Sequence, residues 1–198
     1  FGVNLSGTFE KNITANSDDD SMESYHPWVT PYNEDGTLKY NIKSWKNYTM
    51  DPTPLSNPLQ DNKYNNVTDL KNNLFGSFSA TLKPFKWLSF SSTNTLTLTN
   101  VNTNDYFDSR TYSGNHSRNE MSNGVLKVDD ERSWTFLTSN ILRLQHSFGE
   151  HNLSGLVGQE WYERHTRSSH IEMYDQMVAG ERNVGGFSKQ GDKTNPAV

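Results

Sequence analysis

Apolar and polar residues alternate one for one through five segments of the chain, the spacing that gives a β-strand one apolar and one polar face. The pattern predicts strands near 1–14, 69–83, 86–101, 132–148 and 151–165. In the first, Phe1, Val3, Leu5 and Phe9 share a face. In the second, Leu70, Leu74, Phe78, Ala80 and Leu82 do so, opposite Lys71, Asn73, Phe75, Ser77, Ser79, Thr81 and Lys83. In the third, Leu88, Phe90, Leu96 and Leu98 oppose a run of Ser and Thr from Ser89 to Thr99. The fourth sets Trp134, Phe136, Leu142, Leu144 and Phe148 on one side and Arg143 on the other. The fifth puts Leu153, Val157 and Trp161 together, although Leu156 and Tyr162 fall on its other face.

Connection lengths alternate between long and short: about 50 residues, a tight turn around Pro84, about 30 residues, then a tight turn at Phe148-Gly149-Glu150. Soluble domains seldom hold structureless connections beyond roughly 15 residues, whereas outer-membrane barrels join short periplasmic turns to long external loops. On that basis the loops 15–68, 102–131 and 166–198 are expected to be extracellular.

A strand of 14 residues rising about 3.3 Å each and tilted by roughly 40° climbs about 35 Å, enough to cross a 25 Å apolar band. Aromatic residues fall where two girdles would lie, with Phe85, Trp87 and Phe148 at the turn end and Tyr106, Phe107, Trp134, Phe136 and Trp161 toward the loop end. The expected fold is therefore all-β: an antiparallel transmembrane β-barrel segment of about five strands with long extracellular loops. Asn72, Ser92, Asn94 and Asn140 lie on the apolar face and run against the pattern, which calls for protein packing or a bulge there.

Composition agrees with a surface that is apolar only at every second position. The 198 residues are 32% hydrophobic and 21% charged, and the mean hydropathy is -0.86. A net charge of -5 without clustered Lys and Arg excludes a nucleic-acid partner. With no cysteine, there is no disulfide scaffold, thiolate metal site or Cys nucleophile. No apolar run is long enough for a transmembrane helix, so any crossing is by strands. The chain opens directly on a strand without a signal segment, and it is expected to be a portion of a longer polypeptide.

"HPWVTPYNEDGTL" at 26–38, "NPL" at 57–59, the hairpin through "LKPFKWLSF" and "LQHSFGEHNLSGLVGQEW" at 144–161 follow one another along the chain. Together they resemble a mid-barrel stretch of the SusC/RagA family of TonB-linked outer-membrane proteins, with Pro27, Pro31, Tyr32, Asp35, Gly36, Asn57, Pro58, Leu59, Asn152, Leu153, Gly158 and Glu160 in the matching places. The resemblance implies a 22-stranded barrel with an N-terminal plug, importing glycans or peptides. It also implies a SusD-like surface lipoprotein as lid and TonB as energy source, the latter acting through a plug that these residues lack. Five strands cannot close a barrel, and an open edge in lipid leaves backbone groups unpaired.

Candidate chemistry is sparse. His146 and His151 flank a turn without metal-ligand spacing, and His165 and His170 stand beside arginines at a strand end. Asp18–Asp20 lack the spacing of a calcium loop and read as a solvated acidic stretch. "NEDGT" at 33–37 reads as a turn in which Asp35-Gly36 supplies the positive φ. There is no Gly-x-Ser-x-Gly elbow and no phosphate-binding glycine loop, so neither an enzyme nor a cofactor or metal is expected.

The candidate substrate or lid contacts are loop aromatics, Trp28, Tyr32, Trp45 and Tyr48 in the first loop and Tyr106, Phe107 and Tyr112 in the second. Flat rings stack on sugars and present a polar tip, but they equally pack loops against one another. The expected function is part of an outer-membrane active importer, in contact with lipid, the lid and an oligosaccharide or peptide. The alternative is a soluble secreted β-sandwich that binds carbohydrate, its Thr-rich face wet.

Overall fold

A computed structural model describes residues 1–16, 29–44, 53–116 and 123–191. Trp28, Trp45, Tyr48 and Asp18–Asp20 lie outside the described residues. The fold is mostly antiparallel β, with 71% of the described residues in strands and 9% in helix. Six strands form one open sheet in the order β1 (Gly2–Ala15), β4 (Asn66–Phe85), β5 (Leu88–Phe107), β6 (Val125–Phe148), β7 (His151–Gln176) and β8 (Phe187–Gln190). A separate two-stranded ladder pairs β2 (Asn41–Ser44) with β3 (Thr53–Ser56). Two short helices, α1 (Pro58–Tyr64) and α2 (Tyr112–His116), lie in the connections.

The long strands run well past the expected limits. The alternation continues through 102–107, 125–131 and 166–176, but Asn, Asp and Glu occupy enough positions on both faces to disguise it as loop. The connection expected over 102–131 shrinks to the residues between Phe107 and Val125, and that over 15–68 contains β2, β3 and α1. Pro84 is not a turn residue. It sits in the last turn-side residues of β4, where the register shifts between Leu82 and Phe85, and the reversal falls on Lys86-Trp87. A proline has no N–H to give the ladder, which fits an irregular strand end. The β6–β7 reversal is the expected tight turn, with Gly149 at φ 58°.

Register places most apolar residues of the five long strands on one face, with Phe75, Leu137, Ile141, Leu156 and Tyr162 on the other. Leu5, Gly76, Leu96, Phe136 and Glu163 stand in one row, and Gly7, Leu74, Leu98, Trp134 and His165 in the next. From Leu88 to Leu98 the strand is about 33 Å long. Within that stretch Leu74, Phe78 and Leu96 remain 45%, 46% and 42% exposed. No second sheet covers them among the described residues.

Farther toward the loop end the same face is covered across β5, β6 and β7, while Phe9 and Ile13 on the edge strand β1 stay exposed. Tyr106, Leu126, Met173 and Phe187 form a buried cluster, with Val128 and Ile171 against it. Tyr106 and Leu126 are each 1% exposed. The chain after β7 returns here: Phe187 pairs with Gln176, and the Arg182 guanidinium lies 5.3 Å from the Tyr106 ring centre.

The polar residues on the apolar face are not at a bulge, since the β4–β5 register is unbroken from Asn66–Tyr106 to Leu82–Phe90. Instead Ser92 partners Asn140, Asn94 partners Thr138, and Gln159 partners Asn140, so these five residues form one patch. Asn94 Nδ2 donates to Ser92 Oγ at 3.1 Å. On β7 Glu163 also enters the face, where it pairs with His165 Nε2 at 3.1 Å.

Both sides of the sheet end in open edges. β1 is exposed along its whole length, and β7 pairs beyond β6 only near its end, where Met173, Tyr174 and Gln176 meet β8. No helix among the described residues is long and apolar enough to cross a membrane.

Candidate functional site

At the loop end, side chains cluster in two groups: a platform built from the connections, and a charged rim on the polar face of the sheet. The platform starts at α1. Asn57 caps it, accepting from the Leu59 amide at 3.2 Å, and Pro58 occupies the first helical position, where no N–H is needed. The Asn57 carboxamide also donates to the Pro31 and Lys39 carbonyls at 2.9 and 2.7 Å. These bonds anchor the turn carrying Tyr32. In that turn Gly36 has φ 82°, and Asp35 accepts from the Thr37 amide and hydroxyl at 2.9 and 2.6 Å. The Thr37 hydroxyl, and then its amide, hold the Asp35 carboxyl below its ordinary range.

Asp61 and Asn65, both buried, tie α1 to α2. Ser113 Oγ donates to Asp61 at 2.8 Å, Asn65 Nδ2 reaches Asp61 and Ser113 at 3.1 and 2.8 Å, and Ser56 donates to the other Asp61 oxygen. Asn65 Oδ1 accepts from the Asp108 amide at 2.9 Å and from the Thr111 hydroxyl at 3.2 Å.

Asp108 is fully buried and carries the next layer. Arg110 grips it with Nε at 2.9 Å and Nη2 at 2.7 Å, and the Tyr106 hydroxyl donates to it at 2.8 Å. Burial alone would raise the Asp108 pKa; the Arg110 side chain and amide and the Tyr106 hydroxyl outweigh it, so the carboxyl titrates below its usual range. Gln176 closes the cluster, donating to Tyr106 at 2.6 Å and accepting from the Ser109 amide at 3.0 Å.

Above this polar base lie aromatic rings. Tyr40 and Tyr112 meet edge to face at 5.7 Å, and Asn115 donates to the Tyr40 hydroxyl at 2.8 Å. The Tyr64 ring lies 4.2 Å under the Arg110 guanidinium. Tyr32 stands exposed on its turn.

The expected aromatic contacts therefore divide. The structure joins the turn of Tyr32 and the helix of Tyr112 into one body. It corrects Tyr106, which is a buried strand residue holding Asp108 and Gln176, because β5 continues through it. Phe107 sits on the opposite, polar face, half-buried beside Lys127 at 5.8 Å. Tyr40, Tyr64, Arg110 and Asn115 were not singled out in the sequence; nothing marked them, since their association depends on contacts between distant segments.

The rim lies on the polar face with Phe107. Register aligns Asp105, Lys127 and Glu172 in one row and Thr103, Asp129 and His170 in the next. Lys127 Nζ lies 3.9 Å from Glu172, and His170 Nδ1 2.6 Å from Asp129. Asn16 donates to Asp105, and Thr103 to Asp69 at 2.7 Å. Below the rim β5 gives this face Ser and Thr from Thr99 back to Ser89, while the other strands of the sheet add Phe75, Leu137, Ile141, Leu156 and Tyr162. No group of three ligating side chains able to hold a metal ion occurs among the described residues. Compared with protein-family models and with curated proteins, the chain matches none, so platform and rim are interpreted from their own chemistry.

Proposed function

We propose that these residues form part of the wall of a transmembrane β-barrel in a bacterial outer membrane, a portion of a TonB-dependent importer of the SusC/RagA kind. The observation that carries the reading is a contrast on one face of one sheet. With the strands tilted by roughly 40°, Leu88 to Leu98 would span a 25 Å apolar band. On β5 to β7 the apolar residues beyond it, Tyr106, Leu126 and Met173, are packed under protein, whereas Leu74, Phe78 and Leu96 within it stay exposed, as Phe9 and Ile13 do on the edge strand β1. A soluble sandwich needs a second layer over Leu74, Phe78 and Leu96, and their exposure leaves that layer without a place among the described residues. The open edges fit a wall whose neighbouring staves complete the pairing.

In this reading the Ser/Thr face lines the lumen, and the acidic rim and aromatic platform meet incoming cargo. Carboxylates and carboxamides accept from sugar hydroxyls or peptide N–H groups, and Tyr32, Tyr40 and Tyr112 offer ring faces to sugars or to a SusD-like lid. The cargo is an oligosaccharide or a peptide, taken up without covalent change, with energy supplied through TonB.

Spin labels placed singly from Ser91 to Leu98 in the native polypeptide test this in lipid vesicles. Even-numbered sites are expected to respond to oxygen and odd-numbered sites to a water-soluble nickel chelate. Equal access of the chelate to both sets overturns the barrel and favours the soluble sandwich.

A further inference from the structure

Immediately outside the apolar band, on its own face, one row of Cα partners runs Phe9, Asn72, Asn100, Arg132 and Arg167. Arg132 and Arg167 are therefore directly opposed across β6 and β7. Both are exposed, and neither has an ion-pair partner among the described residues. Like charges opposite one another weaken a strand pair, so the arrangement favours an anion between or above them. The adjoining row inward holds Leu74, Leu98, Trp134 and His165, the last two rings stacked at 4.8 Å. That is the rim of the apolar band. Beside Arg132 lies a depression of about 300 Å³, lined also by Leu70, Asn72, Asn100, Asn102 and Asp130.

Three carboxylates stand near. Asp130, one row farther out, accepts from Asn102 at 2.8 Å, and Glu163, two rows inward, is held by His165. Glu131 also lines the depression, although its strand position puts it in the row of Val101 and Ser168 on the other face. None of the three forms an ion pair with either arginine among the described residues.

We propose that Arg132 and Arg167, with the Asn72 and Asn100 carboxamides, bind the phosphate of an anionic lipid headgroup in the outer leaflet. The proposal rests on the barrel reading, which sets this row at headgroup height. Guanidinium forks match phosphate oxygens in two-pronged contacts, and carboxamide N–H groups supply further donors. An arginine at this depth extends its stem along the apolar surface and its head to the interface.

The native polypeptide carrying these residues, reconstituted in phosphatidylcholine vesicles, would be probed with spin-labelled phosphatidylglycerol and spin-labelled phosphatidylcholine. The immobilised fraction is expected to favour phosphatidylglycerol by about fivefold. Arg132→Gln with Arg167→Gln should bring the preference near unity, the Lys pair should keep most of it, and Arg143→Gln on the opposite face should leave it unchanged. Immobilised lipid with no headgroup preference, or a preference that survives the Gln pair, overturns the phosphate site and leaves the barrel standing. If neither lipid is immobilised, the barrel reading falls and the site with it.

Discussion

Arg110 grips Asp108 with two parallel bonds, Nε to Oδ1 at 2.9 Å and Nη2 to Oδ2 at 2.7 Å, and the carboxylate between them is completely buried. This pair is the joint between strand β5 and the platform, because the Asp108 amide is also bound by Asn65 from the α1 side. Replacing Arg110 by Ala strands the charge. The cost is expected to be roughly 2 kcal/mol, below the 3–5 of a wholly buried pair because the arginine is half-exposed and water can take its place.

The same pair gives the platform a pH dependence. The folded pKa of Asp108 is depressed, so its contribution is complete above the unfolded carboxylate range near 4 and is lost as pH falls through the lower folded value. Hydrogen-exchange protection at Thr111 and Gly114, corrected for intrinsic rates, should fall below about pH 4. In Asp108→Asn that acid step should vanish; an unchanged step in the variant would assign it to another group.

Arginine placed on the band should block insertion, whereas on the Ser/Thr face it should not. Leu96→Arg is expected to cost about 2–4 kcal/mol of folding into vesicles and Thr95→Arg far less. Heat-modifiable mobility on gels measures the folded fraction. Similar losses at both positions would mean that the two faces meet the same solvent.

The polar patch at Ser92, Asn94, Thr138, Asn140 and Gln159 lies inside the band. If hydrocarbon covers it, Asn94→Leu with Asn140→Leu should raise stability against urea by about 1–2 kcal/mol, since carboxamides lose hydration there. A loss of stability instead would show that the patch is paired with another protein surface.

Gly114 is packed too closely for any side chain, because a Cβ would come within 2.0 Å of the Asp108 carbonyl oxygen. Gly114→Ala must displace α2 from the end of β5. Limited proteolysis should then cut between Phe107 and Val125 while the strand signal in circular dichroism stays constant. Protection equal to wild type would contradict the close approach.

Under the importer reading, Tyr40 and Tyr112, whose rings meet edge to face, are candidate contacts for cargo or lid. Tyr40→Ala with Tyr112→Ala should then weaken capture by the proposed importer by about threefold to tenfold. Titration calorimetry with cargo, and separately with the lid protein, would register it; full affinity for both would reduce the pair to loop packing.

The periodicity of apolar residues was enough to determine the five long strands, the apolar and polar faces of the first four and the turn at Gly149, because side chains alternate with period two whatever the strand pairs with. It did not determine where strands end. At Asn102–Phe107 and Val125–Glu131 polar residues occupy both faces, and only the pairing of Asp105 with Lys127 and of Tyr106 with Leu126 makes them ladder. Tyr106 had the composition of a loop aromatic and became a core residue for that reason. The platform was likewise beyond the sequence, since Asn57 reaches Pro31, Asn65 reaches Ser113, and Tyr40 reaches Tyr112 across long stretches of chain. Local pattern records which environment each residue prefers; only the tertiary register decides which distant neighbours supply it, and that is where Arg132 was set against Arg167.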